Sequence, residues 1–203
     1  MYQCDAHVVG LAKRIRRAVE AQPSQDPDTC PFWRITEHVH ERLHPTTMPS
    51  ELHFLAKSRI EAPAEEVFRW HAQPDALERL SPPWDPVEIL ERAPGIADGD
   101  RGALRVRLGP FKILWLFEHR DCIEGRQFRD VQISGPFRRW EHTHRMDPEG
   151  PGACTLTDSI LYQLPFGLAG QLAAGWFVQR KLVHLFEYRH RVTAQAMGAP
   201  FKS

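Results

Sequence analysis

The chain of 203 residues is long enough to bury one sizeable core, and its length alone does not require two domains. Its 26 Lys and Arg residues balance its 26 Asp and Glu residues, so the composition excludes a general nucleic-acid binder, which needs a basic surplus. No stretch is long and apolar enough to predict a membrane span, and basic residues interrupt the first apolar run, so we expect no secretory signal.

The four cysteines form no Cys-x-x-Cys pair and lack the spacing of a disulfide framework. We therefore predict reduced thiols and a cytoplasmic location.

The first 50 residues differ from the rest and predict a helical or flexible appendage. Residues 8–21 place apolar side chains at helical spacing among basic ones, and a polar stretch that contains prolines follows. A solvated helix is the plainer interpretation, but a basic amphipathic helix also leaves docking to a protein partner open.

From residue 51 the pattern becomes regular. Residues 53–61 alternate weakly and predict a strand. Pro63 followed by Glu65 and Glu66 is typical of a helix start, because proline fits the first turn and acids favour the helix N-terminus. A second short helix is predicted from Pro74, and residues 81–84 end it.

Six further strands are predicted, joined by short turns rich in glycine and proline. They cover residues 87–92, 101–108, 113–121, 128–134, 138–146 and 154–164. Consecutive strands with short connections predict an antiparallel meander.

One long helix is predicted over residues 168–197, before Gly198 and Pro200. Leu168, Leu172 and Trp176 begin an apolar stripe that continues to Phe186. A helix with such a stripe has to cover an apolar surface, and we expect the stripe to pack on the sheet.

Two local motifs sharpen this order of elements. Residues 60–68 read IEAPAEEVF, and residues 128–144 contain the pattern D-x-Q-x-x-G-P-F-x-x-W-x-H-x-H. Both resemble the START / SRPBCC superfamily, which includes the birch pollen allergen and polyketide cyclase/dehydratase-like proteins, and whose bacterial members also occur fused to epimerase-like proteins. The resemblance implies an α+β helix-grip fold: a curved antiparallel sheet around a long C-terminal helix. We predict an appendage at 1–50, the ligand-binding domain at 51–197 and a tail at 198–203.

Alternation along the strands predicts which side chains face a cavity between sheet and helix. If the other face of each strand pointed inward instead, several arginines would be buried, and burying those charges costs far more free energy than burying the predicted set. The predicted ligand-binding residues are Trp115, Phe117, His119, Phe128, Asp130, Gln132, Trp140, His142, His144, Asp158, Tyr162, Leu172 and Trp176.

Three functions fit these residues. The first is binding of a small hydrophobic, partly polar molecule, with aromatic walls and a few polar groups that fix its orientation. The second is a cyclase or dehydratase in which a His–Asp pair moves a proton, with His142, His144 and Asp130 as candidates. The third is a non-catalytic interaction protein whose polar core groups satisfy one another.

The sequence contains no nucleophile elbow and no phosphate-binding loop, and we predict no cofactor. His142 and His144 share one strand face, where a carboxylate would complete a metal site. Because His-x-His also arises by chance in a chain with 11 histidines, no metal site is predicted.

Overall fold

The computed structural model describes residues 51–108 and 111–198, which form one sheet and three helices. The strands are β1 (Glu51–Ile60), β2 (Glu88–Glu91), β3 (Arg101–Leu108), β4 (Phe111–Ile123), β5 (Gln127–Ser134), β6 (Arg139–Pro148) and β7 (Cys154–Gln163). The helices are α1 (Ala64–His71), α2 (Ala76–Arg79) and α3 (Gly167–Ala196). The predicted appendage at 1–50 lies outside the described residues, as does the predicted tail beyond Gly198.

The sheet has seven antiparallel strands in the order β1-β7-β6-β5-β4-β3-β2. Strands β2 to β7 form a meander, because short connections between consecutive strands favour hairpins. β1 lies at the edge of the sheet opposite β2. It pairs with β7 along its whole length, from Glu51 opposite Gln163 to Ile60 opposite Cys154. The predicted helix-grip fold is therefore confirmed.

Helix α1 begins after Pro63 and carries Glu65 and Glu66 in its first turn, as the sequence indicates. It buries Val67 and Phe68 and packs against β6. The Phe68 ring meets the Phe128 ring edge-on, with centroids 6.2 Å apart. This contact anchors α1 over one end of the concave face.

Helix α3 packs chiefly over β1 and β7 rather than over the middle of the sheet. The side chains that face the sheet form a ridge at intervals of four residues: Ala174, Val178, Leu182 and Phe186, continued by His190 and Ala194. Although α3 has 30 residues, no described helix is apolar enough to cross a membrane.

The predicted packing face of α3 is wrong in its first half. Leu168, Leu172 and Trp176 are 59%, 84% and 74% exposed, so they lie on the solvent side of the helix. Apolar residues surround this helix on several sides, and periodicity alone does not select among them. The ridge through Leu182 and Phe186 covers the sheet instead.

The chain enters α3 through a tight turn. Phe166 and Gly167 both have positive φ, at 65° and 57°. A Cβ atom on Gly170 would lie 1.9 Å from the carbonyl oxygen of Pro165, so only glycine allows this close approach. The turn sets where the helix starts relative to the end of β7.

Candidate functional site

Ionisable side chains converge on the concave face of the sheet. The strand register places His119 opposite Asp130, Asp130 opposite His142, and His144 opposite Asp158. Because inward positions of neighbouring strands are adjacent, these five side chains lie side by side across β4, β5, β6 and β7. We call them, together with His190 of α3, the His–Asp cluster.

Asp158 is the buried centre of the His–Asp cluster, with 3% exposure. Its Oδ1 accepts a hydrogen bond from His142 Nε2 at 2.7 Å and is ion-paired with His144 Nδ1 at 2.8 Å. Its Oδ2 accepts from His190 Nε2 at 2.7 Å, and His190 Nδ1 lies 2.7 Å from the hydroxyl of Ser58 on β1. Asp158 is thus fully satisfied, as a buried carboxylate has to be.

Asp130 is the more accessible carboxylate, since a quarter of its side chain is exposed. Its Oδ2 lies 3.1 Å from His144 Nε2 and 3.8 Å from His142 Nδ1. Its Oδ1 lies 2.7 Å from His119 Nδ1, but these two atoms lack the alignment of a hydrogen bond with each other or with any other described residue. The Asp130 end of the cluster is therefore less completely bonded than the Asp158 end.

The histidines in and beside the cluster differ in pKa and therefore in charge. Burial opposes the positive charge of His144, but Asp158 and Asp130 outweigh it and raise the pKa of His144 to about 9. Burial and then the charge of His144 lower the pKa of His142 to about 4, and the same two causes lower the pKa of His71 on α1 to about 4. At neutral pH His144 is an imidazolium, whereas His142 and His71 are neutral.

The two carboxylates remain ionised in this setting. Burial alone would raise the pKa of Asp130 and of Asp158. The hydrogen bonds and charge of the surrounding histidines overcome burial and hold both pKa values well below the usual range. A positive ring therefore lies between two negative carboxylates inside the fold.

Aromatic rings extend the concave face away from the cluster. Trp115 packs edge-on against Trp140, with centroids 5.1 Å apart, and against Phe137 at 5.6 Å. Phe117 meets His119 edge-on at 5.3 Å. Trp115 and Phe117 lie on β4, beyond the strands that α3 covers, and both are half-buried. We call Trp115, Phe117, Phe137 and Trp140 the aromatic wall.

Glycine at position 102 shapes this wall. Gly102 lies directly opposite Phe117 in the β3–β4 ladder. A Cβ atom there would come within 2.5 Å of the Phe117 ring. The missing side chain therefore lets the ring lie across β3, next to His119.

Most of the predicted site residues lie together. His119, Asp130, His142, His144 and Asp158 form the cluster, and Trp115, Phe117 and Trp140 form most of the wall. Phe128 stacks on the His144 ring at 4.2 Å, which suits an aromatic face beside a cation.

Three groups of predicted residues have other positions or bonds. Gln132 Nε2 donates to the carbonyl of Phe137 at 2.7 Å, so its amide stabilises the β5–β6 turn. Tyr162 is fully buried, and its hydroxyl donates to Gln179 at 3.1 Å. Leu172 and Trp176 lie on the solvent side of α3, so the structure does not bring them to the cluster.

Sequence reasoning missed His190 and Ser58, which hold Asp158 from the helix and from β1. It also missed His71, whose ring centroid is 6.1 Å from that of His144. His190 lies four residues after Phe186, so the signal was present in the ridge of α3. The predicted stripe ended at Phe186 and counted only apolar residues, so the histidine one turn further along was left out.

A depression lies on the outer side of α3, away from the cluster. This outer groove has a volume of about 670 Å³. Its lining residues are Pro82, Trp84, Asp85, Phe177, Arg180, Lys181, His184, Leu185, Glu187, Tyr188 and Arg191. Trp84 meets Tyr188 edge-on at 5.2 Å, and Lys181 pairs with Asp85 at 2.8 Å. The outer groove offers aromatic surface and charge outside the cluster.

Comparison with known proteins identifies a family to which this chain belongs. Residues 60–191 match the family described as polyketide cyclase / dehydrase and lipid transport. This segment includes every member of the His–Asp cluster and of the aromatic wall. No curated protein sequence matches the chain.

Solved structures share the fold. The protein TTHA0849 from Thermus thermophilus is 21% identical with a TM-score of 0.57, over 72% of this chain and 97% of its own. A nucleoside-diphosphate sugar epimerase from Corynebacterium glutamicum is 25% identical with a TM-score of 0.55, over 71% of this chain and 29% of its own. The Zhui aromatase/cyclase from Streptomyces sp. R1128 is 18% identical with a TM-score of 0.51, over 72% of this chain and 91% of its own.

Proposed function

Because the chain belongs to the polyketide cyclase / dehydrase and lipid transport family, we propose that its concave face binds a small, mainly apolar molecule with a hydroxyl or carbonyl group. The observation that carries this proposal is the half-buried pair Trp115 and Phe117 beside the partly exposed Asp130. An apolar surface that meets a few convergent polar groups is the usual layout of a small-molecule site.

The aromatic wall supplies the apolar contact. Trp115 and Phe117 lie on β4, outside the strands β1 and β7 on which α3 chiefly packs, and both side chains are half-buried. Ring contacts of this kind contribute about 1 kcal/mol beyond the area they bury. The wall therefore favours a flat or aromatic ligand.

The Asp130 end of the cluster fixes the ligand's orientation. Asp130 Oδ1 and His119 Nδ1 are both buried and unaligned, so each has unused hydrogen-bonding capacity beneath the exposed part of the Asp130 side chain. The Asp158 end is buried and fully bonded, and it serves to hold the histidines in place. The ligand's polar group belongs at Asp130.

A fluorescent naphthalene probe, 8-anilinonaphthalene-1-sulfonate, tests the location of the site. We expect Phe117→Ala to weaken probe binding about tenfold, because it removes one wall of the site. Phe177→Ala is the matched control, since Phe177 lines the outer groove on α3. If only Phe177→Ala weakens binding, the apolar site lies in the outer groove and the proposal fails.

Catalysis is a second candidate, favoured by the opposite pKa shifts of His142 and His144. Environments that separate two neighbouring pKa values are typical of acid–base pairs. Both rings are bonded to Asp158, so a proton would reach a substrate by way of Asp130. Incubation with poly-β-keto thioesters, followed by mass spectrometry of products, tests this. A cyclised or dehydrated product that is absent with Asp130→Asn supports catalysis, and unchanged substrate with the wild-type protein opposes it.

A further inference from the structure

We infer that the His–Asp cluster is a binding site for a divalent transition-metal ion, with Asp130, His142 and His144 as ligands. Each of these side chains offers a ligand atom within 4.8 Å of the other two. The inference concerns an ion and not the apolar ligand proposed above, and the two sites share the Asp130 side chain.

The spacing of the donor atoms suits a metal ion. Asp130 Oδ2 lies 3.1 Å from His144 Nε2 and 3.8 Å from His142 Nδ1. In a tetrahedral shell with bonds of about 2.0–2.1 Å, neighbouring ligand atoms are about 3.3–3.4 Å apart. The two distances from Asp130 lie within about 0.5 Å of this spacing, and all three donors lie within 4.8 Å of one another, so they are close enough to share one ion after adjustment.

The bonds behind the ligands have the arrangement that metal sites use. His142 Nε2 donates to Asp158 Oδ1 at 2.7 Å, and His144 Nδ1 is ion-paired with the same oxygen at 2.8 Å. Asp158 thus contacts the far nitrogen of each ring, and the other nitrogen of each ring is directed toward Asp130. A carboxylate behind a metal-binding histidine fixes the tautomer and strengthens the ligand.

Asp158 is itself held in place from two further elements. His190 of α3 donates to its Oδ2 at 2.7 Å, and Ser58 of β1 contacts the other nitrogen of His190 at 2.7 Å. The orientation of both ligand rings is therefore fixed by the fold and not by the ion. A site of this kind is formed before the metal arrives.

An independent observation comes from His119. This side chain is 6% exposed and directs Nδ1 at Asp130 Oδ1 from 2.7 Å, yet the two atoms lack hydrogen-bond alignment with any described residue. Buried polar atoms without an aligned hydrogen bond are rare in folded proteins, and each one needs an explanation. A shift of Asp130 toward an ion would let His119 donate to it properly.

The ligand set indicates the class of ion. Two imidazoles and one carboxylate suit zinc and related first-row ions, whereas magnesium and calcium prefer oxygen alone. Three protein ligands leave a coordination position free, and the quarter-exposed Asp130 side chain gives access from the concave face.

Isothermal titration of the full chain with Zn²⁺ tests the inference. We expect one tight site, and Asp130→Asn should weaken it at least tenfold while preserving the size of the side chain. His184→Ala is the matched control, because His184 is an exposed histidine outside the cluster. Equal affinity in the wild-type protein and Asp130→Asn, or loss of binding with His184→Ala, would mean adventitious surface binding and overturn the inference.

A second measurement does not depend on the folding of any variant. Crystals of the wild-type protein soaked in Zn²⁺ should give an anomalous peak at bonding distance from Asp130, His142 and His144. Calorimetric binding with the ion located elsewhere would contradict the site directly. An intact hydrogen-bonded cluster with no peak would show that its ion pairs are purely structural.

Discussion

At the residue scale, Asp158 of the His–Asp cluster contacts both the sheet and helix α3. It accepts hydrogen bonds from His142 on β6 and from His190 on α3, and it is ion-paired with His144 on β6. One carboxylate therefore links the sheet to the helix. A buried charge in this position stabilises the fold only as long as all its partners remain.

We predict that Asp158→Asn lowers the free energy of unfolding by about 3 kcal/mol, because it removes half of the negative charge that stabilises the His144 imidazolium. Denaturation with urea measures the change. Asp147→Asn is the matched control on β6, since Asp147 pairs with Arg145 at the surface and should contribute less than about 1 kcal/mol. Similar losses in both variants would contradict the role given to Asp158.

At the element scale, the position of α3 decides which parts of the concave face are filled. Its ridge covers β1 and β7. Phe186 of this ridge packs on Phe54 of β1 at 5.2 Å, and it also meets His142 of β6 edge-on at 5.2 Å. The neighbouring surface of β4 keeps Trp115 and Phe117 half-buried. The helix thus completes the core on one side and leaves the proposed ligand site on the other.

The assigned face of α3 is testable with two phenylalanines. We predict that Phe186→Ala destabilises the protein by about 3–5 kcal/mol, because Phe186 is 1% exposed and its loss leaves a cavity. Phe177→Ala on the same helix should cost less than about 1 kcal/mol, since Phe177 is 55% exposed. Thermal or chemical denaturation compares the two, and a larger loss for Phe177→Ala would reverse the assignment.

At the scale of the whole molecule, the cluster makes stability depend on pH in two directions. His71 and His142 have pKa values of about 4, below the ordinary 6.5, so the unfolded chain binds more protons between these values. Stability therefore rises with pH across that window. His144 has a pKa of about 9, so the folded protein binds the extra proton between 6.5 and 9, and stability falls there.

We accordingly predict a maximum in the free energy of unfolding near pH 6.5 for the metal-free protein, measured with a chelator present. Each fully shifted histidine accounts for about 3 kcal/mol, because one pKa unit corresponds to about 1.4 kcal/mol. The acid side should be steeper, since two histidines act there and the lowered pKa values of Asp130 and Asp158 add to it near pH 4. Stability that rises steadily from pH 6.5 to 9 would show that His144 is not held as a cation.

The strands and the entry to α1 could be predicted because they depend on local features. Alternation along β6 separates Trp140, His142 and His144 from their charged neighbours without reference to any other strand. Pro63 and the acids after it mark the start of α1 in the same local way. The short connections predicted the meander, and the resemblance implied the helix-grip architecture, which the structure confirms.

The sequence by itself therefore determined the elements, the inward faces of the strands and the helix-grip architecture. Only the tertiary structure decided that Asp130 lies between His119 and His144, that Gln132 stabilises a turn, and that α3 packs through Phe186 and not through Trp176. The physical reason is how far apart in the chain the deciding contacts lie. The strand face of a side chain follows from its immediate neighbours. The partners across a strand pair, and the side on which a helix with apolar residues all round packs, depend on contacts between distant parts of the chain.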